Sequence, residues 1–191
     1  MIVNLRGTSG SGKSTVVRRI MGLLGERERN FIDGRKQPIS YTFQNGTRTL
    51  TVLGHYETPC GGTDTITKTD DVYALIEEAV AKGHDVIYEG IMVSDDTRRC
   101  IELHRKGYPI LVIGLNTPIP ICIAGVQARR DARNDLRPLN TKNTEDRARR
   151  HRSAISKLKD AGLDARSLDR EAAFTAVADA LGVAHEAPEA V

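Results

Sequence analysis

The chain has no tryptophan, and five tyrosines with three phenylalanines bring aromatics to only 4% of its 191 residues. Few rings are therefore on hand as stacking platforms for a ligand. Cysteine is scarce too: Cys60, Cys100 and Cys122 are odd in number and far apart, with no C-x-x-C pair. That excludes a disulfide framework and a cysteine zinc site, and it fits a reducing compartment. No apolar run approaches the roughly 20 residues that span a bilayer. The opening MIVNLRGTSG lacks a basic stretch followed by a long apolar one, so no signal peptide is expected and the expected location is cytoplasmic. No repeat of solenoid period is present. Net charge is small, at +3.

The charge that is there is uneven. Residues 129–152 carry nine bases against four acids, a local excess of +5 that leaves −2 over the rest. The remaining composition, 39% hydrophobic and 28% charged, is that of an ordinary globular chain long enough for one core.

Short apolar runs alternate with helical patterns. Ile2–Leu5, Asp85–Tyr88, Ile110–Leu115 and Ala165–Leu168 read as strands. Helices are expected over Ser14–Leu24, from an Asp70 or Asp71 cap to Ala81, over Asp95–Lys106, from near Pro118 into the basic segment and, resuming, up to Ala161, and over Glu171–Leu181. Glu26–Pro38 reads as polar and turn-like, while Asn45-Gly46 between Ile39–Phe43 and Leu50–Leu53 predicts a hairpin turning on those two residues. Strands alternating with helices of ten or more residues require crossover connections. The expected fold is therefore three-layer α/β with a mainly parallel sheet and one inserted antiparallel hairpin. One domain is expected over residues 1–183, with the hairpin at about 39–56, a lid and basic segment at about 127–152, and a flexible tail over 184–191.

Gly7-Thr8-Ser9-Gly10-Ser11-Gly12-Lys13-Ser14 satisfies G-x-x-x-x-G-K-[ST] at every fixed position, after a strand and before a helix. Such a loop turns successive N–H groups inward around anionic oxygens at the positive end of a helix. Thr8 to Thr15 are thus the expected nucleotide-phosphate cradle, with Lys13 on the β- and γ-phosphates and Ser14 on Mg²⁺. No DxxG switch or NKxD base reader follows, as a GTPase would need. The apolar runs end in Glu89 and Asn116 rather than in the aspartate of a motor ATPase. Length, an early phosphate loop and a late arginine cluster favour a phosphotransferase.

Arg129 and Arg133, at i and i+4 with Arg130 between them, are expected on a mobile lid that neutralises transferred phosphoryl charge. Arg147, Arg149, Arg150 and Arg152 form a second group that suits either a phosphate backbone or a plain solvated helix. A kinase also needs a carboxylate to orient or deprotonate the acceptor. Asp64 beside Gly61-Gly62, Glu89 at a strand end, and Asp33 in an Asp-Gly turn are the candidates, and Glu89 could also serve Mg²⁺. Cys60 has only His55 near it in sequence as a base, a weak case for a nucleophile.

The segments Gly7–Thr15, GHYETPCGGTDTI (Gly54–Ile66), VIYEG (Val86–Gly90) and RRDARNDLRPLNTKNT (Arg129–Thr144) together resemble phage-type P-loop kinases, in particular the 5-hydroxymethyluracil DNA kinases. The resemblance runs from about Ile2 to Leu181. It implies ATP phosphates on Gly10–Thr15, a lid at Arg129, Arg130 and Arg133, and acceptor contacts around Tyr56 and Asp64, where Gly61 and Gly62 by themselves suggest a backbone that approaches a ligand closely. It also implies ATP with Mg²⁺ as the donor, and DNA carrying a modified pyrimidine as partner. A base in DNA must be flipped or presented single-stranded, and only Tyr41, Tyr56 and Tyr88 are expected near enough to stack on it. Three readings stay open: a kinase of modified DNA, a kinase of a free nucleoside, nucleotide or other small molecule, and a nucleotide-binding regulatory module. Oligomeric state leaves no mark on the sequence.

Overall fold

A computed structural model describes residues 1–185. Seven strands form one sheet in the order β2-β3-β4-β5-β1-β6-β7. In chain order these are β1 (Ile2–Arg6), β2 (Glu28–Asn30), β3 (Ser40–Asn45), β4 (Arg48–Leu53), β5 (Asp85–Glu89), β6 (Ile110–Leu115) and β7 (Asp164–Leu168). The helices are α1 (Lys13–Leu23), α2 (Thr69–Ala81), α3 (Ile91–Asp95), α4 (Arg98–Arg105), α5 (Ile119–Asp131), α6 (Thr141–Asp160) and α7 (Arg170–Leu181). The α/β class and mainly parallel sheet are as the alternating pattern implies. β4, β5, β1, β6 and β7 run parallel, with β2 and β3 antiparallel at one edge.

Side chains on a strand alternate between faces, and β1 uses both. Val3 and Leu5 join a core with Val16, Val17 and Ile20 of α1 and Ala173, Phe174 and Val177 of α7. Ile2 points to a second core with Val72 and Ile76 of α2, Leu103 of α4 and Ile155 and Leu158 of α6. On the face of Ile2, Asn4 and Arg6 are also fully buried. The Arg6 guanidinium donates to Asn4 Oδ1 and to the carbonyls of Ser94 and Asp96, which ties the segment after β5 to the base of the phosphate loop. Removing a side chain such as Ile20 from either core costs about 2–5 kcal/mol.

Several local expectations need correction. The segment expected as turn-like contains β2, which pairs with β3 at Glu28↔Thr42 and is recruited by that edge rather than by its own propensity. The hairpin turns on Gly46-Thr47, one residue later than expected, because Asn45 pairs with Arg48. Gly46 has φ 60 while Asn45 does not have positive φ, so glycine sits first in the turn, as a type II′ geometry requires. The hairpin's second strand is itself part of the parallel sheet, with Thr51↔Val86. The cap of α2 is Lys68, with Asp70 and Asp71 inside its first turn. The helix expected over Asp95–Lys106 is α4, which starts later, at Arg98; the short α3 before it was not expected, and the two are separated at Asp96 and Thr97, where the Arg6 guanidinium donates to the Asp96 carbonyl. Of the tail expected over 184–191, residues 186–191 lie outside the described residues, while His185 meets the Phe174 ring and Asp179.

Candidate active site

The carboxyl ends of parallel strands are where α/β folds place their ligands, and here β1 and β5 open into a cleft of about 600 Å³ that α5 walls on its far side. Its floor is the phosphate loop. Gly10 has φ 80 and a Cβ there would stand 2.1 Å from the Cys122 carbonyl oxygen, while Gly12 has φ 100 and caps α1. A side chain at Gly10 would clash with α5, so the loop can fold against α5 only as glycine.

Lys13 is 6% exposed and its ammonium donates to the carbonyls of Gly7 at 2.8 Å and Thr8 at 3.2 Å. Glu89, 2% exposed, brings Oε2 to 4.0 Å from that ammonium. Ser14 Oγ donates to Glu89 Oε1 at 2.6 Å. Burial pushes the Lys13 pKa down and the Glu89 pKa up, and their mutual attraction opposes both shifts. The outcome is a charge pair held short of full stabilisation. Ser14 and Glu89 present two hard oxygens at one point beside the phosphate loop, a donor set that suits Mg²⁺, which usually takes one or two protein oxygens and leaves the rest to phosphate and water. Among the described residues no cluster of three or more His, Cys, Asp or Glu offers a fuller cage.

Asp64 reaches the cleft from a loop that is closed by the His55–Gly62 bridge and a 3-10 turn at Thr63–Thr65. Its Oδ1 accepts the Ile91 N–H at 2.7 Å and the Met92 N–H at 3.4 Å, so Asp64, and not Glu89, caps α3. Among the described residues no hydrogen bond is made to Oδ2. Thr63 Oγ1 donates to the Glu89 carbonyl at 3.0 Å and fixes the two carboxylates to one another.

Arg129, Arg130 and Arg133 of α5 and the turn after it line the opposite wall. Among the described residues none forms an ion pair with a carboxylate: they donate to the carbonyls of Gly125 and Arg137 and, at 2.7 Å, to Cys60 Sγ. Three guanidinium groups kept off carboxylates beside a phosphate loop are available to an anionic ligand.

The structure brings Ser9, Gly10, Gly12, Lys13, Ser14, Thr15, Gly61, Asp64, Glu89 and the three arginines into one lining. Other expected residues fall elsewhere. Thr8 faces α6 and donates to the Thr144 carbonyl, and Ser11 is 1% exposed beneath the loop. Gly62 lies under the cleft: its φ is 85, and a Cβ would come 2.5 Å from Glu89 Oε1. The glycine thus permits close approach to Glu89, where the sequence suggested approach to a ligand. Tyr56 is 6% exposed, packs on Tyr41 and leaves its hydroxyl unpartnered. Burial drives the Tyr56 pKa well up. Tyr41 and Tyr88 are wholly buried, Tyr88 in the core of the opposite face, so neither is a platform for a ligand. Asp33 is exposed in the loop after β2 and takes no part in the lining. Arg147, Arg149, Arg150 and Arg152 lie on α6 outside the cleft, where Arg149 meets Asp146 and Arg150 meets Asp95.

Two further arginines line the cleft. Arg18 donates to the carbonyls of Tyr56 and Thr58 and so holds the Asp64 loop against α1. It stands four residues after Ser14, a helical spacing that could have marked it. Arg170, whose side chain passes over Gly12, had no signal beyond its place after the last strand.

Known proteins match this chain over much of its length. The zeta toxin family matches residues 69–172. A 5-hmdU DNA kinase of Pseudomonas phage PaMx11 is 43% identical over 178 residues, 92% of this chain and 94% of that one. A 5-hmdU DNA kinase of Delftia phage PhiW-14 is 27% identical over 85% of this chain and 65% of its own, and one of Pseudomonas phage M6 is 26% identical over 84% of each.

Proposed function

We propose, for a chain that belongs to the zeta-toxin family of P-loop phosphotransferases and to the group of the phage 5-hmdU DNA kinases, that it transfers the γ-phosphoryl group of ATP to the hydroxymethyl group of 5-hydroxymethyluracil in DNA. The observation that carries the reading is the meeting, in one cleft, of a buried lysine on a phosphate loop, three arginines without carboxylate partners, and an aspartate with one free oxygen.

The roles follow from charge. Gly10 to Thr15 hold the donor's phosphates through backbone N–H groups at the start of α1. Lys13 lies beneath them, its ammonium held inside the loop by the Gly7 and Thr8 carbonyls, and turns from these to the charge that spreads over the transferred group. Arg129, Arg130 and Arg133 close over the opposite side and exclude water. Asp64 Oδ2 accepts the proton of the attacking hydroxyl while Oδ1 stays on the α3 amides, so the carboxylate is oriented before substrate arrives. Ser14 and Glu89 would hold Mg²⁺, which would supply neutralising charge to the donor's phosphates. Gly61 lines the cleft near Asp64, and its missing Cβ lets the loop pack on the His55 carbonyl and the Tyr56 ring, while Arg18 ties that loop to α1. Among the described residues no helix is long and apolar enough to cross a membrane, and we place the activity in the cytoplasm of the host cell.

The test is transfer of label from γ-labelled ATP, run in parallel on DNA containing 5-hydroxymethyluracil, on unmodified DNA and on free nucleosides. Label is expected on the modified DNA alone. Label confined to free nucleosides would overturn the DNA acceptor, and no transfer above a Lys13→Ala background would overturn the kinase itself.

A further inference from the structure

The turn between α5 and α6 carries Leu136, 95% exposed, whereas the other exposed large apolar side chains among the described residues, such as Phe31 and Met92, reach 53% at most. A single exposed leucine is ordinary on a slack loop. This loop is not slack. The amides of Arg133 and Asp135 both donate to the Arg130 carbonyl, and that of Asn134, in the left-handed region at φ 53, donates to the Asp131 carbonyl. Arg130 reaches the Arg137 carbonyl at 2.8 Å, and the Arg137 guanidinium grips both oxygens of Asp135 at 2.8 and 2.7 Å. Hydrogen bonds thus close on either side of Leu136, and its side chain is what they leave outside.

The position is as telling as the exposure. Arg133 ties this turn to Cys60 on the Asp64 loop, and Asp135, the residue before Leu136, lines the cleft. Arg137, on the other side, has 81% of its side chain in solvent. A target base inside a duplex has to leave the stack before any group in the cleft can reach it. Proteins that open a base step commonly push an apolar side chain into the gap, with cations on the neighbouring phosphates. Aromatic side chains are the alternative, and here Tyr41, Tyr56 and Tyr88 are buried.

Resting on the DNA-kinase reading, we propose that Leu136 is a wedge: it enters the base stack at the target pyrimidine and keeps the extruded base in the cleft, with Arg137 beside the adjoining phosphates. Leu136 is a positioning residue and touches no reacting atom.

The experiment compares wild type with Leu136→Ala on one oligonucleotide bearing a single 5-hydroxymethyluracil, presented single-stranded, as a matched duplex, and as a duplex with an abasic site opposite the target. Loss of kcat/KM of about tenfold or more is expected on the matched duplex, with values closer to wild type on the other two forms, where no base pair holds the target in place. Leu136→Met should retain most duplex activity, and 2-aminopurine beside the target should brighten on binding wild type without ATP but not on binding Leu136→Ala. Equal loss on all three forms would assign Leu136 to lid closure and overturn the wedge, as would an unchanged duplex rate or a wild type active only on single strands. Wild type inactive on every DNA would overturn the DNA reading along with it, so the two failures are told apart.

Discussion

The two walls of the cleft are built in different ways. On the donor side, Gly7 to Thr15 are contiguous, and the decisive bonds are short-range: Lys13 to the carbonyls of Gly7 and Thr8, six and five residues back. On the acceptor side nothing is contiguous. Asp64 is set by amides 27 and 28 residues on, Ser14 meets Glu89 across 75 residues, and Arg133 reaches Cys60 across 73. A contiguous loop between a strand and a helix keeps its geometry wherever it is placed, which is why one phosphate loop serves many enzymes. A wall assembled from segments remote in sequence moves whenever any of them moves, so under the proposed function acceptor specificity could change there while the phosphate loop stays as it is.

The sharpest way to break this division is Lys13→Ala. It should lower kcat about 10³-fold on every acceptor alike. A loss confined to DNA acceptors, measured by label transfer, would show that the two walls are not separable.

Next in size is a stability effect below the donor floor. His151 of α6, 5% exposed, has its pKa pushed from 6.5 down to about 4, first by burial and then by Arg6 and Lys13. The folded protein keeps this ring neutral where the unfolded chain protonates it. Stability should therefore fall as pH falls from about 6.5 to 4, by on the order of 3 kcal/mol from this group. In His151→Gln that part of the slope should vanish in denaturant titrations at the two pH values. An unchanged slope would mean the ring is hydrated.

Asp64→Asn probes the acceptor wall alone. The amide oxygen can still accept from Ile91, so the melting temperature should hold while kcat falls about 10²-fold and the Kd for ATP stays constant. Weakened ATP binding would place Asp64 on the donor side instead.

Smallest is Gly62→Ala, expected to cost about 2 kcal/mol, because alanine disfavours φ 85 and its Cβ would press on Glu89. A shift in denaturant midpoint at constant slope measures it. A neutral result would mean that the loop relaxes freely away from β5.

Much of this was legible in the chain. The strand–loop–helix of residues 2–24 and the period of β5, β6 and α7 follow from apolar spacing, which local propensity and burial both favour. Glu89 was marked by its place at the end of an apolar run, and Arg129 and Arg133 by helical spacing. What escaped did so for physical reasons. β2 has no strand pattern of its own and exists because β3 offers an edge. Tyr56 and Gly62 sit in the same short segment as Gly61 and Asp64, and only the three-dimensional path of the loop separates those under the floor from those in the lining. Arg18 and Arg170 belong to no motif.

The sequence by itself determined the fold class, the phosphate loop and the family, because each depends on residue order within a dozen or so positions or on a pattern spread along the whole chain. Tertiary structure alone decided which carboxylate joins Ser14, which caps a helix, and which arginines remain without carboxylate partners. It also decided that one leucine stands outside every core. Those outcomes depend on distances between segments remote in sequence, and on the cost of burying charge where they meet.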